Sequence, residues 1–233
     1  MTKKVLFLPL LLLSFLSLWG QQTAVYTEAN RAFKRGVTLY DQGILAKAKR
    51  EFQKAIDLTL PINETAAEGF RTRAALYMAK CAVELRLKEG EVMTMDFIRS
   101  FRPDPEYQEA LMDMGNYYFN VGEYAKSLEF YNEVPTLGMP KSTLTQMRFR
   151  QGYSNFALKE FNLAKSFFRD VIAEADGDYY APSNYYMGLS SFFEQDYAQA
   201  ASSLQIVENN PTYRPYIPFY LTQILFAQNK YQD

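Results

Sequence analysis

The sequence predicts an all-α fold built as an array of antiparallel helix pairs, and three observations lead to it. From Ala29 onward, apolar residues recur at the three- and four-residue spacing of amphipathic helices. Gly36, Gly115, Gly152 and Gly188 each stand inside such a pattern, where glycine costs about 1 kcal/mol relative to alanine. Each must therefore gain something from close packing. Finally, the residues downstream of each glycine repeat. Nine places on stands Leu45, Tyr124, Phe161 or Tyr197, and twelve on a small residue, Ala48, Ser127, Ala164 or Ala200. Four further comes Phe52, Tyr131, Phe168 or Leu204, and three beyond that Ala55, Val134, Val171 or Val207.

Taken in chain order, residues 1–20 come first. Lys3 and Lys4 precede an apolar stretch from Val5 to Trp19, and Gly20 offers a small residue before Gln21. This is the layout of a secretory signal peptide. Leu18 fits the small-x-small rule poorly, so the cut is expected at or near Gly20. Fifteen apolar residues are short for a hydrocarbon core of about 30 Å, which disfavours an uncleaved anchor. A lipoprotein needs a Cys just after the apolar stretch, and the single Cys is Cys81. The remaining residues, 21–233, form the helical array. The spacing resembles that of the tetratricopeptide repeat (TPR) family, and the resemblance implies repeats over 29–61, a degenerate 62–106, 108–140, 145–178, 181–213 and an incomplete 215–233. Gly36 and Gly115 lie 79 residues apart, which leaves 11 residues beyond two of that family's 34-residue units. The degenerate repeat absorbs them, with helices predicted over 64–88 and 91–101. Ala79 and Cys81 fall on its packed face, and Phe97 takes the place of the large downstream residue. The sixth repeat supplies a first helix over 216–228, with Tyr231 opening the next. Ile217, Leu221, Ile224 and Leu225 on that helix have no second helix to cover them, so the chain is expected to be a fragment or to be completed by another subunit.

These offsets resemble the tetratricopeptide repeat (TPR) family, whose 34-residue unit is a helix–turn–helix with small residues at positions 8, 20 and 27. Numbering from Gly36 as position 8, the third copy is the cleanest: Leu111, Met114, Gly115, Tyr118, Gly122, Tyr124, Ser127 and Tyr131 all fall in register. Pro61 and Pro211 stand one place from the family's closing proline. The resemblance implies a right-handed superhelical solenoid in which neighbouring pairs create the core that no pair buries alone. The glycine is expected to face the small residue at position 20, with the position-24 side chain beside that contact.

Composition removes many activities. The 233 residues contain no His and one Cys, which leaves no His-based triad, no Cys–His pair and no Cys-rich metal site. The net charge is −1, and −3 once the signal segment leaves, so nothing attracts nucleic acid in general. Asp176-Gly177-Asp178 reads as a turn without the later acidic ligands of a calcium loop. Cys81 reads as a buried structural thiol. Lys47, Lys49, Arg50 and Lys54 read as a solvated helix face beside Glu51 and Asp57. Asn63-Glu64-Thr65 is a glycosylation sequon of consequence only in a eukaryotic secretory pathway. No catalytic residue, cofactor or metal is expected.

The TPR resemblance further implies a concave groove lined by the first helices. Its groove positions here hold Asn116 in the third repeat, then Phe149, Arg150, Tyr153 and Phe156 in the fourth. Tyr185, Tyr186 and Phe192 follow in the fifth, and Phe219 and Tyr220 in the sixth. The carboxylate clamp of one TPR subfamily is not expected: Asn116 matches it, but Met112, Arg150, Pro182 and Tyr186 replace its other residues. Aromatics at this spacing serve either as a recognition surface or as inter-repeat core. The expected function is a non-catalytic protein-binding scaffold of the cell envelope. It would be exported across the inner membrane to the periplasm or outer membrane, with a protein or peptide partner, no nucleic acid and no membrane span after signal cleavage. The alternative is the sensory ectodomain of a larger signalling protein.

Overall fold

The computed structural model describes residues 7–62, 65–100, 105–174 and 177–228; the sequon's Asn63 and Glu64, Asp176 and Tyr231 lie outside them. The described residues form eleven α-helices and no strand. They are α1 (Phe7–Asp41), α2 (Leu45–Thr59), α3 (Thr65–Glu84), α4 (Gly90–Ser100), α5 (Pro105–Asn120) and α6 (Tyr124–Glu133). α7 (Lys141–Ala157), α8 (Phe161–Ile172), α9 (Tyr180–Phe193), α10 (Tyr197–Ile206) and α11 (Ile217–Ala227) follow. The predicted pairs are thus α1/α2 through α9/α10, with α11 as the lone first helix. The chain divides into two compact units, 1–110 and 111–233, and the boundary falls inside α5.

The turn inside each pair shows why these sequences fold as hairpins. The first helix ends on a left-handed residue: Gly43 (φ 72°), Arg86 (φ 55°), Gly122 (φ 80°), Lys159 (φ 65°) and Gln195 (φ 64°). The next residue's N–H reaches back over the last turn, as from Ile44 to the Leu39 carbonyl at 2.8 Å and from Glu160 to the Asn155 carbonyl at 2.9 Å. The left-handed residue donates to the following carbonyl, as from Gly43 to Tyr40 at 2.8 Å and from Gln195 to Phe192 at 3.0 Å. This pair of bonds is a Schellman cap, which satisfies carbonyls that a helix end leaves open. In the four regular pairs the left-handed residue stands seven places after the repeat glycine, and the second helix starts two places later at Leu45, Tyr124, Phe161 or Tyr197.

The degenerate pair obeys the same rule. Arg86 stands seven places after Ala79, which takes the glycine's role. α4 begins four places after Arg86 instead of two, so the turn carries two of the eleven extra residues, and the other nine lie between Gly36 and Ala79. The register is then restored. Phe97 is the eighth residue of α4, as Phe52, Tyr131, Phe168 and Leu204 are of their helices, and it is buried. α3 ends at Glu84, four residues short of the predicted Lys88, because Arg86 breaks it.

Packing differs from expectation in two respects, at the repeat glycines and at the last helix. The space left by each glycine is filled by the position-24 side chain itself. A Cβ added at Gly36 would come 2.6 Å from the Phe52 ring, at Gly115 2.5 Å from Tyr131, at Gly152 2.7 Å from Phe168 and at Gly188 2.7 Å from Leu204. The small residue at position 20 lies alongside: Ser127 Oγ donates to the Gly115 carbonyl at 2.8 Å. In the first unit, Ala48, Phe52, Met78 and Cys81 form one core cluster, and Ala29, Ala32, Ala55 and Phe70 another. Arg71 of α3 donates to the carbonyls of Thr59 and Ile62 at 2.7 and 3.0 Å, tying down the end of α2. In the second unit, Ala164, Phe168 and Met187 form one cluster. Another joins Tyr185, Leu189, Ala200, Leu204 and Val207 to Ile217 and Ile224. The expectation that Ile217 and Ile224 lie uncovered on the last helix is therefore corrected: they are 0% and 2% exposed, because α11 turns that edge onto the α9/α10 pair. What it leaves outward is Tyr216, Phe219 and Phe226.

α1 runs without a break through Gly20 and Gln21. Among the described residues, no helix is long and apolar enough to cross a membrane.

Candidate functional site

The first helices of the second unit carry a ladder of aromatic rings, each rung placed by the repeat's spacing. Phe119 of α5 meets Tyr153 of α7 edge-on, with centroids 5.6 Å apart, and Tyr153 meets Tyr186 of α9 at 5.0 Å. Phe156 packs on Tyr186 at 5.1 Å, and Phe192 meets Tyr220 of α11 at 5.4 Å. Second helices contribute their opening residues: Tyr124 contacts Phe119 and Tyr153 at 5.9 and 5.6 Å, and Phe161 stacks on Phe193 at 5.1 Å. Groove spacing alone misses Tyr124 and Phe161. Their signal was present, since both sit nine places after a repeat glycine.

The predicted site residues separate by depth. Asn116, Phe149, Arg150, Tyr153, Phe156, Tyr186, Phe192 and Tyr220 are half-buried, with part of each surface open. Phe149 lies between Tyr153 and Phe168 and meets Tyr179 at 5.0 Å. Tyr185 departs from the groove reading: it is 9% exposed and stacks on Tyr213 at 4.3 Å inside the core. The chain after α10 folds back through Tyr213 and covers the ring. Phe219 departs in the opposite sense, at 62% exposed. Burial pushes the Tyr185 phenol up to about 12 and the Tyr186 phenol higher, the latter helped by Tyr153. Both stay neutral at physiological pH.

One charged group sits within the ladder. Arg150 Nη1 donates to Asn116 Oδ1, an oxygen that also accepts from the Tyr131 hydroxyl at 2.6 Å, and Nη1 stands 3.4 Å from that hydroxyl. The guanidinium lies over the Phe119 ring, 5.2 Å from its centroid. Burial raises the Tyr131 pKa against the opposing pull of Arg150. Its neighbour Arg148 faces the other way, over Phe167 at 5.5 Å. Among the described residues, no three His, Cys, Asp or Glu side chains come together to hold a metal.

This architecture recurs in solved structures. A tetratricopeptide repeat protein from Parabacteroides merdae superposes with a TM-score of 0.61 at 12% identity, over 88% of this chain and 75% of that one. The chain has the TPR fold. A pilF protein of Pseudomonas aeruginosa gives a TM-score of 0.57 at 12% identity, over 89% of this chain and 87% of that one. MamA of strain AMB-1 gives 0.55 at 14% identity, over 79% and 92%. The sequence matches no protein-family profile and no curated protein.

Proposed function

We propose that the protein is a non-catalytic scaffold of the cell envelope that holds an extended or helical segment of another protein across its aromatic ladder. The observation that carries this reading is the continuity of the ladder. Rings on four successive first helices touch from Phe119 to Tyr220, and most keep an open edge. Tyrosine and phenylalanine offer large contact area with few rotatable bonds, which suits recognition of apolar or amphipathic segments. The absence of histidine from the sequence supports a binding role over acid–base catalysis near neutral pH. The charged and apolar start of the sequence supports export, after which α1 would begin close to Gln21.

A photo-crosslinking amino acid in place of Tyr153, in the native host, tests the binding face. The same group at Leu163, an exposed residue of the second helix α8, serves as the control. A discrete protein adduct from position 153 and none from 163 is the expected result. Equal or absent adducts from both would remove the ladder as the binding face.

A further inference from the structure

The Arg150 guanidinium is held in place and left short of an anion. Among the described residues its hydrogen bonds run through Nη1, and both acceptors, the Asn116 amide and the Tyr131 hydroxyl, are neutral. No carboxylate pairs with it among the described residues. A guanidinium has five N–H donors in a planar fork, and here the Phe119 face fixes the plane. Half-burying a cation among rings weakens its hydration, and a charge so placed gains more from a pairing anion than one in open water. The Asn116–Tyr131 bond prepares the acceptor in advance, so the arginine's geometry does not depend on a ligand.

We propose that the ladder selects a partner segment carrying an acidic side chain, whose carboxylate takes the open donors of Arg150 while flanking apolar side chains lie on Phe149, Tyr153 and Tyr186. This rests on the ladder being the binding face. A single carboxylate fits better than a dianionic phosphate, because Arg148 is turned onto Phe167 and, among the described residues, no second cation joins Arg150. The acidic group is placed within the segment, so that the apolar residues flanking it can lie on the contiguous rings Phe119, Tyr153 and Tyr186 beside Arg150. Charge-assisted bonds of this kind are stronger than neutral ones and, on a planar fork, selective for geometry.

The test uses the full chain and fluorescent 12-residue peptides of Leu, Phe, Ser and Gly, blocked at both ends, in pairs differing only by Glu or Gln at a central position. The Glu member should bind about tenfold more tightly, as expected for a charge-assisted hydrogen bond. Added salt should erode that preference while leaving the Gln member unchanged. In Arg150→Met the preference of Glu over Gln should vanish, and Arg150→Lys should keep part of it. Equal binding of Glu and Gln members by the unaltered chain would overturn the acidic selection and leave the aromatic face standing, as would a preference that survives Arg150→Met. No binding of any peptide would overturn both. The comparison within the unaltered chain decides the matter even if a variant fails to fold.

Discussion

At the scale of single residues, two glycine-related substitutions should act against habit. Gly→Ala inside a helix ordinarily stabilises, but a Cβ at position 152 would lie 2.7 Å from the buried Phe168 ring, which has nowhere to go. Overpacking of this kind costs about 1–3 kcal/mol, more than the roughly 1 kcal/mol that helix propensity returns. Gly152→Ala should therefore lower the denaturation midpoint. Lys159 holds a left-handed turn at φ 65°, a conformation that costs a side-chain residue about 1–2 kcal/mol. Lys159→Gly removes that cost and adds a smaller unfolded-state entropy, so chemical denaturation should show a gain below about 1 kcal/mol. Cys81 is fully buried, and burial, with Glu84 adding to it, pushes its thiol up to about 11. The folded chain favours the neutral thiol, so this group's contribution to stability is whole below the ordinary thiol value of about 8.5 and falls as pH rises toward 11. An aromatic disulfide reagent at pH 8 should label it only when denaturant opens the first unit, and prompt labelling of the native chain would contradict the burial.

At the scale of elements, α9 and α11 show how one repeat position serves two ends. Tyr185 and Phe219 occupy corresponding groove positions in the fifth and sixth repeats. Tyr185 is enclosed by Tyr213 and the α11 edge, whereas among the described residues nothing comparable covers Phe219, which is exposed. Tyr185→Ala should cost about 3–5 kcal/mol, the range for a large buried aromatic, while Phe219→Ala should stay within about 0.5 kcal/mol. Thermal or urea unfolding of the two variants checks the contrast; equal losses would mean that α11 is packed otherwise. The turns were only partly legible beforehand. The glycines at Gly43 and Gly122 announce a left-handed cap, but Lys159, Gln195 and Arg86 do not, and their role follows from register with the glycine copies.

For the whole molecule, the N-terminal segment is the feature with the largest consequence for location. Its charged start and apolar run should direct the chain out of the cytoplasm, with cleavage at or near Gly20. Mass spectrometry of the protein recovered from envelope fractions of the native host should find Gln21, or a residue close to it, at the N-terminus. Intact Met1 on protein in the cytoplasmic fraction would defeat the proposed location. A cut there would shorten α1 to a length closer to that of the other first helices and leave the first-unit clusters, which begin at Ala29, complete.

The sequence by itself determined the all-α repeat fold and, among the described residues, its eleven helices. Those depend on short-range rules, the helical period and a glycine a set distance from its filling side chain, and such rules are written in linear spacing. It could not decide which aromatic at a groove position would be core. Tyr185 is covered by a ring 28 residues away, while Tyr153 and Tyr186 keep an open edge between neighbouring helices. The chemistry of Arg150 was equally hidden. Its charge is set among Asn116, Tyr131 and Phe119, brought together from α5 and α6. Burial and the polarity of a charge's neighbours depend on which segments the fold lays side by side, and a one-dimensional pattern carries that only where the same contact recurs in every repeat.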